Sequence, residues 1–150
     1  MDILIGTPLI DMSCPSLKDK FLVIDMGVNG ARELKQRYKN AIFIYIIPPT
    51  KEKLLSQMKD RDPSRLLRSK SQLPNAFKVC KWLVINDNPE NAAMQIERIM
   101  TTLKTYSGNV GKIDRNTMEF LYSCSFHNPK NRDFLQKFYG DEISQVKERE

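Results

Sequence analysis

Three short apolar runs, each closed by a turn signal, constrain this chain more than any other feature. They occupy residues 21–25 (Phe-Leu-Val-Ile-Asp), 42–47 (Ile-Phe-Ile-Tyr-Ile-Ile) and 82–85 (Trp-Leu-Val-Ile). Each run is continuous rather than alternating, as expected of strands buried on both faces of a parallel sheet. Gly27 to Gly30 follows the first, Pro48-Pro49 the second and Asn86-Asp87-Asn88-Pro89 the third. Glycine, proline and asparagine at these points stop a strand and turn the chain.

Helical periodicity fills the gaps. Residues 31–39 place Leu34 and Tyr38 on one face. Thr50 is suited to cap a helix whose stripe is Leu54, Leu55 and Met58, because its hydroxyl accepts from a free first-turn amide. Asn88 is a good N-cap with Pro89 in the first helical position. Beyond it Ala92, Ala93, Ile96, Ile99, Met100 and Leu103 recur at helical spacing. The order β-α-β-α-β-α implies an α/β fold with a parallel sheet and flanking helices. In such sheets ligands bind beyond the carboxyl ends of the strands, where Asp25, Pro48-Pro49 and Asn86-Asp87 lie.

The last third has a different character. Residues 107–111 (Ser-Gly-Asn-Val-Gly) form a flexible break. Asp114 can cap a helix carrying Met118, Leu121 and Tyr122. Residues 127–131 (His-Asn-Pro-Lys-Asn) read as a turn, and Phe134, Leu135, Phe138 and Ile143 as a further apolar stripe. These aromatics come at helical spacing in a nearly neutral stretch, so they suit a core or docking contact better than a base-stacking platform. The division expected is a first unit over residues 1–105 and a C-terminal helical extension over 106–150.

Charge is concentrated. The net charge of +6 equals that of residues 51–81 alone, which hold nine basic and three acidic side chains. Two readings stand side by side: a solvated helix face, or a flap that binds anions. The chain has three well-separated cysteines (Cys14, Cys80 and Cys124) and one histidine, His127. That pattern offers neither a zinc set nor a disulfide framework, and it fits a reducing, cytoplasmic compartment. Cys124 and His127 lie close in sequence, but nothing else supports a nucleophilic pair there. No run approaches the ~18 apolar residues of a membrane span, and the acidic start, with Asp2 and Asp11, is unlike a secretory leader.

In this order the landmarks resemble those of the guanylate kinase family. Gly6-Thr7-Pro8 resembles a Gly-Thr-Pro or Gly-Thr-Ser step that in the family follows a GMP-phosphate-binding tyrosine. Residues 23–32 (Val-Ile-Asp-Met-Gly-Val-Asn-Gly-Ala-Arg) are similar to a strand and turn of the type Leu-Asp-Ile-Asp-Val-Gln-Gly-Ala-Arg. Residues 46–50 (Ile-Ile-Pro-Pro-Thr) resemble Leu-Pro-Pro-Ser, and residues 84–87 (Val-Ile-Asn-Asp) resemble Val-Asn-Asp-Asp. The resemblance covers roughly residues 5–105.

It implies a partial nucleoside-monophosphate-kinase-like sheet, with a lid in the basic segment. By this resemblance Thr7 and Asp25 would lie on the substrate side and Asn86 on the adenine side. Arg61 would be the first phosphate-clamping lid arginine, and Arg65 the second, with Arg68 as its rival. Asn86 reads more readily as an ordinary turn residue, and Asp25 equally as a strand-end cap.

Phosphoryl transfer in the family depends on a G-x-x-x-x-G-K-[ST] loop, whose backbone amides and Lys hold the ATP phosphates and whose hydroxyl holds Mg²⁺. That motif is absent from these 150 residues. Ile5 stands at the tyrosine position, Gly27 replaces the second acid of the strand end, and only three residues separate Arg61 from Arg65. The expectation is therefore a guanylate-kinase-like protein, N-terminally truncated and unable to phosphorylate GMP alone, that persists as a nucleotide- or phosphate-binding remnant or regulatory module. No cofactor or metal is expected for the isolated chain. The alternatives are half of a guanylate kinase completed by another chain, then using ATP and Mg²⁺, and a phosphopeptide-binding scaffold module. A protein partner covering the exposed sheet edge is expected, and a nucleic-acid partner rests on the +6 alone.

Overall fold

A computed structural model describes residues 21–57, 64–106 and 112–140. The elements run α1 (Val28–Arg37), β1 (Ile44–Ile47), α2 (Lys51–Gln57), α3 (Ser64–Val79), β2 (Trp82–Ile85), α4 (Pro89–Thr105), α5 (Arg115–Ser123) and α6 (Pro129–Tyr139). The fold class is α/β, with a small parallel sheet among helices.

β1 and β2 pair in parallel, Ile44 opposite Trp82 and Ile47 opposite Ile85. The period-two alternation of strands divides their side chains between two cores. Tyr45, Ile47, Leu83 and Ile85 join Ala31 of α1, Leu73, Ala76 and Phe77 of α3, and Leu135, Phe138 and Tyr139 of α6. Ile44, Trp82 and Val84 join Ala92, Ile99 and Leu103 of α4 and Phe120 of α5. The two strands are thus flanked by helices on both faces, which is why their sequences are continuously apolar.

Local chemistry sets the helix starts. Asn88 Oδ1 accepts from the amides of Glu90 (2.9 Å) and Asn91 (3.3 Å), and Pro89 opens α4. Thr50 Oγ1 accepts from the Lys53 amide at 3.1 Å at the start of α2. Asp114 Oδ1 accepts from the Thr117 amide at 2.9 Å and starts α5. All three caps satisfy amides that the first helical turn leaves without partners.

Four differences from the sequence reading have physical causes. Residues 21–25 are not a strand and take no regular secondary structure. A strand needs a hydrogen-bonded neighbour, and none of the described residues pairs with this run. Helix α1 begins at Val28, ahead of the expected 31. Residues 127–131 are not simply a turn: Asn128 caps α6 through the Lys130 amide at 2.9 Å, and Pro129 is its first residue. This repeats the Asn88-Pro89 device.

The fourth difference is α3. Its sixteen residues lie within the basic segment, yet Leu73, Ala76, Phe77 and Val79 are buried. Pro74 sits inside it. Lys35 of α1 donates from Nζ to the carbonyls of Lys78 (2.9 Å) and Val79 (3.4 Å) at its end, where a cation suits the helix dipole.

The described part of the C-terminal stretch packs on the same sheet. The Leu83 amide donates to the Cys124 carbonyl, and the Phe126 amide to the Lys81 carbonyl, both at 2.8 Å. This covers the outer edge of β2. Phe126 is fully buried, edge-on to Phe77 and Tyr45. No helix among the described residues is long and apolar enough to cross a membrane.

Candidate functional site

Two places gather polar chemistry near the sheet. The first is at the carboxyl ends of the strands. The Asn86 amide donates to the Ile47 carbonyl at 2.8 Å, tying the two strand ends together. Lys53 of α2 donates from Nζ to the Asp87 carbonyl at 2.8 Å and lies 3.6 Å from Asp87 Oδ1. The side-chain oxygen of Asn86 is buried and accepts no hydrogen bond from the described residues. Such an acceptor is uncommon in folded proteins, where buried polar atoms are almost always paired.

The second is a cleft of about 870 Å³ between residues 22–28, the loop before β1, β1 itself and the N-terminal half of α3. Asp25, Ile46, Arg68, Ser69 and Cys80 are among the residues that line it. Beside it runs a chain of hydroxyls. Ser69 Oγ lies 3.0 Å from the Tyr139 hydroxyl, which lies 3.0 Å from that of Tyr45. Burial, with Tyr139 adding to it, holds the Tyr45 phenol well above the usual range, so it stays protonated. Burial also pushes the Cys80 thiol up to about 11, although Lys35 works in the opposite direction. A thiol held neutral in this way is a poor nucleophile at neutral pH.

The expected site residues fall in different places. Asp25 lies exposed on the cleft wall, and Arg68 lines the same cleft. Asn86 lies at the end of β2 and does not line it. Arg65 belongs to the first turn of α3. Thr7 and Arg61 lie outside the described residues. Ser69 and the Tyr45–Tyr139 pair carry no sequence signal of polar function: Tyr45 lies in an apolar run, and Tyr139 follows the apolar stripe of Phe134, Leu135 and Phe138.

Cys124 and His127 do not form a pair. Cys124 is buried and its Sγ accepts from Gln95 Nε2 at 3.1 Å. His127 Nδ1 lies 3.0 Å from Arg132 Nη2. Among the described residues no group of three or more His, Cys, Asp or Glu is arranged to hold a metal ion.

Comparison with known proteins identifies the class to which this α/β scaffold is related. The guanylate kinase of Clostridium perfringens is 27% identical over 120 residues, covering 76% of this chain and 54% of the relative. That of Clostridium tetani is 31% identical over 105 residues, covering 66% and 50%. That of Thermotoga maritima is 30% identical over 115 residues, covering 67% and 52%. The chain thus carries a guanylate-kinase-like domain, and it spans about half the length of the curated relatives it matches. No protein-family model and no solved structure matches it significantly.

Proposed function

We propose that this guanylate-kinase-like chain binds a nucleotide or phosphate group but does not by itself transfer phosphate from ATP to GMP. The observation that supports the binding half is one cleft lined by both Asp25 and Arg68. They are 43 positions apart in sequence and line one cavity. The relatives are named for acting on guanylate, and Asp25 corresponds by resemblance to a substrate-side acid. The Arg68 guanidinium, on α3, can pair with phosphate oxygens.

The absence of transfer rests on the residues present. Phosphoryl transfer is almost entirely positioning and electrostatic stabilisation. These 150 residues contain no G-x-x-x-x-G-K-[ST] loop, and the described ones offer no acidic cluster for Mg²⁺. No catalytic step is therefore assigned to this chain alone.

Titration with GMP, ATP or inorganic phosphate tests the binding half. Saturable binding is expected at low ionic strength, weakening as salt rises because the cleft charges are exposed. Arg68→Ala should lower affinity at least about fivefold, as loss of a charge-assisted contact does. No binding of any of the three at low salt would remove the proposal.

A further inference from the structure

At the amino ends of β1 and β2, the ends away from Asn86 and Asp87, lies a smaller pocket of about 220 Å³. Lys35, Lys39 and Lys81 line it, together with Phe43, Trp82 and Leu103. Lys35 is in the last turn of α1, Lys39 follows that helix, and Lys81 stands between α3 and β2. None of the lining residues is acidic. Phe43 packs on one hydrophobic core and Trp82 and Leu103 on the other, so both cores fix the apolar part of the lining. The larger cleft shares residues 41–43 with this pocket, but neither Asp25 nor Arg68 lines it.

Lysines near helix ends have an ordinary explanation, because a helix C-terminus carries about half a negative charge. The last turns of α1, α3 and α4 all contribute to this pocket, through Lys35, Val79 and Leu103. Three such ends amount to about −1.5 against three ammonium groups, so positive charge stays in excess. Lys35 serves one of these ends, donating to the carbonyls of Lys78 (2.9 Å) and Val79 (3.4 Å). Those two bonds hold its ammonium in place and leave the third of its N–H donors for a ligand. Lys39 and Lys81 are exposed and form no ion pair among the described residues.

Size and lining then select a ligand class. A protein cavity of about 150 Å³ holds one benzene ring. A pocket of about 220 Å³ has room for a ring and a small acidic group, and it falls short of the ~300 Å³ at which pockets for larger ligands begin. Phe43 and Trp82 suit an aromatic ring, and lysines make charge-assisted hydrogen bonds to a carboxylate or phosphate. We propose that this pocket binds a small aromatic anion, a single ring carrying one carboxylate or phosphate group. The proposal is independent of the guanylate-kinase-like reading.

Trp82 is the one tryptophan in the 150 residues, so its fluorescence in the full chain reports on this pocket. Phenyl phosphate and benzoate are the probes, used at low ionic strength. A saturable change in Trp82 emission is expected, with an affinity that falls as salt rises. Binding of only one of the two would name the acidic group. Benzyl alcohol has the ring without the charge, and inorganic phosphate the charge without the ring. Each should bind at least about tenfold more weakly than the better acid. Replacing both Lys39→Ala and Lys81→Ala should cost at least about tenfold in affinity. Both positions are exposed, so an unchanged denaturation midpoint should show that the double variant is folded. Arg68→Ala, in the cleft, should leave the affinity for these probes unchanged.

No saturable change with either acid would overturn the proposal, and that includes a pocket already filled by residues outside the described ones. Equal binding of benzyl alcohol would overturn it by making the lysines irrelevant. Full affinity in the double lysine variant would do the same. Loss of binding in Arg68→Ala, with the lysine variant unaffected, would assign the probes to the cleft instead.

Discussion

Tyr139 shows how much of this core depends on single polar atoms. Its hydroxyl links Ser69 and Tyr45 in a partly buried chain, with one contact to each. Tyr139→Phe would leave two hydroxyls without that link, at a cost of about 1–2 kcal/mol. Chemical denaturation should show a lower midpoint with unchanged slope. Cys80 gives a pH signature. Its thiol is raised from 9.0 to about 11 in the folded state. Between these values the unfolded chain releases its proton first, so the native state binds more protons and stability falls as pH rises. The loss attributable to Cys80 should be on the order of 2 kcal/mol by pH 11. Stability curves of the wild type and Cys80→Ala, measured from pH 8 to 11, should converge as pH rises. Parallel curves would remove Cys80 as their source.

At the scale of elements, Phe126 joins the C-terminal residues to the sheet. It is fully buried and lies edge-on to Phe77 of α3 and Tyr45 of β1. Phe126→Ala should cost about 3–5 kcal/mol, because the cavity would lie between elements fixed by other contacts. Thermal or denaturant melts would check it, and a change under 1 kcal/mol would mean residues 124–126 do not brace the sheet. The sequence made some elements legible and hid others. β2, α4 and α5 could be read because their signals are local: a compact apolar run, Asn88 before Pro89, and Asp114 before a helical stripe. Helix α3 was hidden because its buried face, Leu73, Ala76 and Phe77, is carried among basic residues and contains Pro74. Residues 21–25 read as a strand from composition alone, but strand formation is a property of pairs. Asp25 was legible as a candidate from its place after an apolar run. The cleft was not, because it is made by residues as distant as Asp25 and Arg68 that only the packing of α1, β1 and α3 brings together.

For the whole molecule, the net charge of +6 gains a location but not a single role. Part of it lies on Arg68 at the cleft, part on Lys53 at the strand ends, and part on the described length of α3, a helix that also builds the core. These 150 residues contain no G-x-x-x-x-G-K-[ST] loop, and on that sequence fact and the charge at the cleft rests the proposal of phosphate binding without transfer. The most direct measurement is a coupled assay of ADP formation by the purified chain with GMP, ATP and Mg²⁺, read over hours at micromolar protein. No ADP above the rate without protein is expected. Turnover that scales with the amount of chain and survives rigorous purification would contradict the claim that this chain does not transfer phosphate alone.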